Sequence, residues 1–87
     1  MTDDLTILII EDDPDVALGC EQALQLEGLR TACATSAEHG RRQIGPDFPG
    51  IVVSDIRLPG QDGLALQRDL HAIDPELQVI LMTGHGD

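Results

Sequence analysis

Four short apolar runs divide the chain, at residues 5–10, 29–34, 51–55 and 79–82. The first and third are almost uninterrupted aliphatic and β-branched residues, the fourth is Val-Ile-Leu-Met, and the second alternates weakly. Each is too short for a stable helix and predicts a strand buried on both faces. Between them the spacing changes to a helical one. Val16, Cys20, Ala23, Leu24 and Glu27 recur over residues 14–27, with Asp13 as N-cap, Pro14 at the first position, Asp15 at the positive end of the dipole and Gly28 as the stop. Thr35 with Glu38 has the form of a capping box, so a second helix should begin near residue 36 and end at Gly45-Pro46. Its pattern is poor, because Gly40, Arg41 and Arg42 stand where apolar residues are wanted. Residues 46–50 form a loop. Leu66, Leu70 and Ile73 mark a third helix, with Asp62 as cap, Gly63 as a close-packing glycine and Asp74-Pro75 as the stop.

The resulting order is β-α-β-α-β-α-β with short links. It implies a parallel sheet with right-handed crossovers and helices on both faces. Every strand of such a sheet ends on the same edge. Glu11, Asp12 and Asp13 follow the first strand, Asp55 ends the third and Thr83 ends the fourth. Taken singly, Asp13 is a helix cap, Asp55 a turn-starter and Thr83 a strand-end hydroxyl. If the first and third strands are neighbours, several carboxylates share one small site, and like charges at that range cannot all ionise without compensation. A hard dication with oxygen ligands compensates them, and Mg²⁺ fits best. A carboxylate beside Mg²⁺ can attack a phosphoryl group, with the Thr83 hydroxyl and the amides of the turn at residues 58–60 as further donors.

Composition narrows the options. The 87 residues make at most one small domain, and Phe48 is the only aromatic, so the core must be aliphatic. The net charge of -11, with five arginines and no lysine, argues against direct nucleic-acid binding and against anionic membrane surfaces. Cys20 and Cys33 read as small core residues in a reducing compartment. His39, His71 and His85 have no ligand spacing and read as surface residues, His85 standing beside the site. The acidic N-terminus lacks the order of a signal peptide, and no apolar run approaches the ~20 residues of a membrane span. The expected location is the cytoplasm.

Three stretches carry a family resemblance: Ile9-Ile10-Glu11-Asp12-Asp13-Pro14-Asp15, Ser54-Asp55-Ile56-Arg57-Leu58-Pro59-Gly60-Gln61-Asp62-Gly63-Leu64, and Val79-Ile80-Leu81-Met82-Thr83-Gly84-His85-Gly86-Asp87. Together they resemble the receiver domain of bacterial two-component response regulators. The last two are similar in wording to the nitrogen-regulator class that activates sigma-54 promoters, the C4-dicarboxylate transport regulators in particular. The resemblance implies a flavodoxin-like doubly wound α/β sheet and a phosphorelay role in transcription regulation rather than an enzyme. It implies Asp55 as phosphoacceptor and Mg²⁺ as cofactor. Asp12 would bind the ion directly, Glu11 through water, and the Arg57 backbone carbonyl as a third protein ligand. Thr83 would be the switch hydroxyl and a sensor histidine kinase the partner. Family members continue with a helix, a fifth strand carrying a lysine and a last helix, so residues 1–87 read as a receiver domain incomplete at its C-terminus. Two expectations follow: an exposed apolar fourth strand that favours self-association or marginal stability, and weakened phosphorylation without the lysine. Two other functions compete. A Mg²⁺-dependent phosphatase of the haloacid-dehalogenase type needs an aspartate two residues after its nucleophile, where this chain has Arg57. A receiver-like fragment that binds partners without being phosphorylated is the other.

Overall fold

The computed structural model describes residues 5–58 and 61–82. Its elements are β1 (Thr6–Ile10), α1 (Pro14–Leu26), β2 (Arg30–Ala34), α2 (Ala37–Gln43), β3 (Gly50–Asp55), α3 (Gly63–Ile73) and β4 (Gln78–Met82). The four strands form one parallel sheet in the order β2-β1-β3-β4. The chain therefore steps one way from β1 to β2 and the other way from β2 to β3 and on to β4. Right-handed crossovers then place α1 on one face and α2 and α3 on the other.

Strand period two sorts the core. Leu8 and Val52 stand level with Val79, and Ile10 is level with Ala34. These residues meet Ala37 of α2, Ile44, Leu58, Leu66 and Leu70 of α3, and Leu77 in one aliphatic cluster. Ile7 and Ile9 face the other way and are also buried, on the side where α1 packs over β1 and β2. On that face the β3–β4 half is thinly covered. Ile51 and Val53 are half-buried and Ile80 is 52% exposed. Among the described residues no strand pairs with the outer edge of β4.

Several local expectations hold. The Asp13 side chain accepts from the amides of Asp15 (2.9 Å) and Val16 (3.4 Å), and Pro14 opens α1. Gly28 ends α1 with φ of 84°, the left-handed conformation that glycine adopts without strain. Asp62 caps α3 by accepting from the Ala65 amide at 2.7 Å.

Others are corrected. The second helix is capped by Ser36, not Thr35: the Ser36 hydroxyl accepts from the His39 amide at 3.1 Å, while Glu38 turns outward to Arg42 at 3.1 Å. Ser36 is the last extended residue before the helix, so its oxygen, and not that of Thr35, faces the open amides of the first turn. Gly40 is no pattern fault. It is buried where a Cβ would press on the end of the Ile10 side chain, so glycine lets the helix pack closely on the sheet there. On α1 the covered stripe runs through Val16, Ala17, Cys20 and Leu24, with Ala23 and Glu27 exposed. Ile73 of α3 is also exposed. Cys20 and Cys33 are half-buried free thiols rather than core residues, because they occupy the margin between α1 and β2. Burial, together with the neighbouring Glu21 carboxylate, holds the Cys33 thiol above its ordinary pKa. Of the histidines, His39 is exposed, whereas His71 is half-buried with Nε2 2.9 Å from the Leu77 carbonyl oxygen.

Candidate functional site

The strand order makes β1 and β3 the central pair, with Ile10 level with Ser54. The next residue of each strand is a carboxylate. Glu11 remains in the ladder, its amide donating to the Ala34 carbonyl at 3.0 Å. Asp55 ends β3 level with Met82, and the following Ile56 amide donates to the Met82 carbonyl at 3.0 Å. Both side chains are therefore held at the C-terminal lip of the sheet by backbone pairing on either side. This edge is where open α/β sheets bind their ligands.

Glu11 and Asp55 are almost wholly buried, at 1% and 2% exposure, while Asp12 is exposed. Carboxylate oxygens of the three lie within 4.8 Å of one another. Glu11 Oε2 accepts from the Asp13 amide at 3.1 Å, and Asp55 Oδ1 accepts from the Arg57 amide at 3.1 Å. Burial lifts the Glu11 carboxyl above its ordinary pKa of 4.5, and the nearby charges of Asp55 and Asp12 add to the lift; the Asp13 amide opposes it. Asp13 stands apart, since its carboxylate is committed to the α1 cap. Three crowded carboxylates, two of them buried, make an all-oxygen donor set for a hard dication such as Mg²⁺.

The floor of the site is set by glycine. The Gly63 amide donates to the Ile56 carbonyl at 2.6 Å, and a Cβ on Gly63 would lie 2.6 Å from the Asp55 carbonyl oxygen. The first turn of α3 thus rests directly on the backbone beneath the Asp55 side chain. The Ser54 hydroxyl, completely buried, donates to the Asp55 carbonyl at 2.9 Å. Of the residues expected at the site, Glu11, Asp12 and Asp55 converge, and Arg57 joins them through its amide. Its side chain is exposed. Thr83 and His85, with Pro59 and Gly60 of the turn, lie outside the described residues.

One side-chain group, joining α2 to the β3–α3 loop and to α3, was not foreseen. Arg41 of α2 donates to Gln61 Oε1 in the β3–α3 loop and lies 3.4 Å from Asp69 Oδ2 of α3, and Gln61 Nε2 donates to the same Asp69 oxygen at 2.8 Å. The signal available was the arginine that broke the apolar pattern of α2.

Residues 7–87 match the response regulator receiver domain model. The chain belongs to the response regulator receiver domain family. This receiver domain is 46% identical over 82 residues to the C4-dicarboxylate transport transcriptional regulatory protein of Rhizobium meliloti, covering 94% of the chain and 18% of that relative. It is 48% identical over 81 residues to the protein of the same name in Pseudomonas aeruginosa, covering 93% of the chain and 18% of the relative. A nitrogen-regulator relative, the transcriptional regulator NtrC of Klebsiella pneumoniae, is 37% identical over 79 residues, 91% of the chain and 17% of that protein. The receiver domain thus spans less than a fifth of these curated relatives.

Among solved structures, a response regulator receiver domain protein of Clostridium thermocellum superimposes with a TM-score of 0.88 at 28% identity, covering 95% of the chain and 68% of that structure. A response regulator protein of Thermotoga maritima, solved in complex with Mg²⁺-BeF, gives 0.79 at 25% identity, covering 88% and 67%. The fold is the flavodoxin-like sheet expected from the motifs. No helix among the described residues is long and apolar enough to cross a membrane.

Proposed function

We propose that the chain is a phosphoacceptor domain of a two-component phosphorelay, taking a phosphoryl group onto Asp55 from a sensor histidine kinase to regulate transcription. The observation that supports it is the convergence of Glu11, Asp12 and Asp55 within 4.8 Å at the sheet lip of a receiver-family chain. Mg²⁺, when bound, supplies the positive charge that lets these carboxylates stay ionised together and that offsets charge on the transferring oxygens. Asp12 and Asp55 would hold it directly, Glu11 through water and Arg57 through its carbonyl.

The chain's own residues do the rest. Backbone pairing on both sides of β3 fixes the base of Asp55, and the Arg57 amide orients its carboxylate through Oδ1. A carboxylate oxygen of Asp55 attacks phosphorus as the P–N bond to the kinase imidazole breaks, and the imidazole leaves with the electron pair of that bond. Glu11, buried and hard to ionise alone, rewards a bound dication with relief of repulsion. By its likeness to the family's switch hydroxyl, Thr83 would respond to the new phosphoryl group. The chain acts as a signalling domain in the cytoplasm, not as an enzyme, and does not itself bind nucleic acid or membrane. Through exposed Ile80 and the β4 edge, which no strand pairs among the described residues, it self-associates.

Titration with Mg²⁺ and beryllofluoride, followed by amide NMR, tests the site. Saturable shifts centred on Asp12, Asp55 and Arg57 are expected, lost in Asp55→Asn and weakened in Asp12→Ala. Uptake undiminished in Asp55→Asn would refute the assignment. One other reading is a receiver fold that binds partners without accepting a phosphoryl group. That reading predicts Mg²⁺ binding without beryllofluoride uptake.

A further inference from the structure

β3 ends at Asp55, and the backbone just beyond it is held from two directions. The Ile56 amide donates to the Met82 carbonyl of β4 at 3.0 Å, and the Ile56 carbonyl accepts from the Gly63 amide of α3 at 2.6 Å. That carbonyl belongs to the peptide group whose nitrogen is the Arg57 amide, and the Arg57 amide donates to Asp55 Oδ1 at 3.1 Å. A trans peptide is planar, with its C=O and N–H pointing in opposite directions, so fixing the carbonyl at one end aims the N–H at the other. A continuous run of hydrogen bonds therefore passes from Gly63 through a single peptide group to the carboxylate. A peptide polarised by a donor on its oxygen is also a stronger donor through its nitrogen.

The start of α3 is built to supply that donor. Gly63 is the first residue of the helix, so its amide is among those with no partner inside it. The Asp62 side chain caps the Ala65 amide instead, at 2.7 Å. The Gly63 amide thus carries the partial positive charge of the helix N-terminus to the Ile56 carbonyl. Leu66 and Leu70, completely buried, hold the helix that presents it. The approach also requires a residue without a side chain, since a Cβ would lie 2.6 Å from the Asp55 carbonyl oxygen and 2.9 Å from Ile56 Cα. We propose that Gly63 is a positioning residue for Asp55: its amide holds and polarises the Ile56–Arg57 peptide, whose N–H directs the acceptor carboxylate. The kinetic consequence rests on the phosphoacceptor reading, while the structural one stands without it.

The test uses the 87-residue chain, made by total synthesis with an ester oxygen in place of the Gly63 amide nitrogen, which removes the donor and adds no side chain. Gly63→Ala, which keeps the donor but crowds it off the Asp55 backbone, is a second variant. Asp62→Ala, which loosens the first turn of α3 but keeps the Gly63 amide, is the control. Two quantities are read: the Arg57 amide proton resonance in the metal-free protein, and the rate of phosphorylation by acetyl phosphate at saturating Mg²⁺, by intact mass. In the ester and in Gly63→Ala the Arg57 amide proton should move upfield, as it does when a hydrogen bond weakens, while the amides of Leu8 and Val52 in the core stay in place. Phosphorylation should slow by about fivefold or more, because alignment of the acceptor is lost. Asp62→Ala should leave the Arg57 resonance in place and the rate within about twofold of the parent. The ester decides the matter if Gly63→Ala does not fold. An unmoved Arg57 amide in the ester overturns the proposal, as does an ester rate within about twofold of the parent. An equal effect in Asp62→Ala overturns it too, because general loosening of α3 would then account for the change. If the parent takes no phosphoryl group at all, the phosphoacceptor reading fails, and the Arg57 resonance still decides the role of Gly63.

Discussion

Replacing glycine by alanine at three helical positions should give opposite results for reasons visible in the structure. Gly19 lies in the middle of α1, exposed, with nothing within 4 Å of where its Cβ would stand. Alanine there gains helix propensity and restricts the unfolded chain, a stabilisation of about 0.5–1 kcal/mol. Gly63 opens α3 and is buried. Its Cβ would lie 2.6 Å from the Asp55 carbonyl oxygen and 2.9 Å from Ile56 Cα, well inside ordinary contact. Both neighbours are backbone, and neither can swing away. Nor can α3 back off freely, because Leu66 and Leu70 are completely buried against the sheet. Overpacking of this kind costs about 1–3 kcal/mol, which exceeds any gain in propensity. At Gly40 the obstacle is Ile10 Cδ1, the end of a flexible side chain, but Ile10 is itself fully buried. Gly40→Ala should therefore destabilise as well. Urea unfolding read by far-UV circular dichroism checks all three, using midpoints at constant m-value. For a domain of this size 1 kcal/mol moves the melting temperature by about 4–8 °C, so the signs are easily resolved. A Gly63→Ala protein as stable as Gly19→Ala would refute the close approach of α3 to the Asp55 backbone.

Three other outcomes are expected. Asp13→Ala should cost about 1 kcal/mol in a thermal melt by releasing the two amides it caps, yet leave Mg²⁺-induced shifts intact because Asp13 lies outside the carboxylate cluster. In the metal-free protein the raised pKa of Glu11 means the folded state holds a proton that the unfolded state releases above about pH 4.5, so stability falls as pH rises through that window. Glu11→Gln should accordingly raise the melting temperature at about pH 7 and do little at about pH 4; a parent that gains stability relative to the variant with rising pH would contradict this. Ile80→Glu should reduce self-association in sedimentation velocity, since it places a charge on an exposed position of β4, whose outer edge no strand pairs among the described residues; a parent that sediments as a monodisperse monomer would argue against the interface.

The strands were legible because each ends abruptly, β1 at Glu11 and β3 at Asp55 followed soon by Pro59-Gly60. Once the order of elements implied a parallel sheet, the meeting of Glu11, Asp12 and Asp55 followed from the shared direction of the strands. Local capping was readable for the same reason: Asp13 and Asp62 act on amides two or three residues away. What escaped was decided by residues distant in sequence. Gly40 looks like a fault until Ile10 is seen against it, thirty positions earlier. Arg41 finds Gln61 and Asp69 across two turns of chain. Thr35 and Ser36 offer the same hydroxyl, and only the backbone's entry into α2 selects Ser36. The half-exposure of Cys20 and Cys33 reflects how far α1 extends over β2, which periodicity does not specify.

The buried carboxylate at the end of β3 is the proposed acceptor of a phosphoryl group. Incubation of the chain with acetyl phosphate and Mg²⁺, followed by intact mass spectrometry, tests it most directly. A single adduct about 80 Da heavier is expected, lost at alkaline pH, as an acyl phosphate is, and absent from Asp55→Asn. No adduct on the parent, or an adduct that persists in Asp55→Asn, would contradict it.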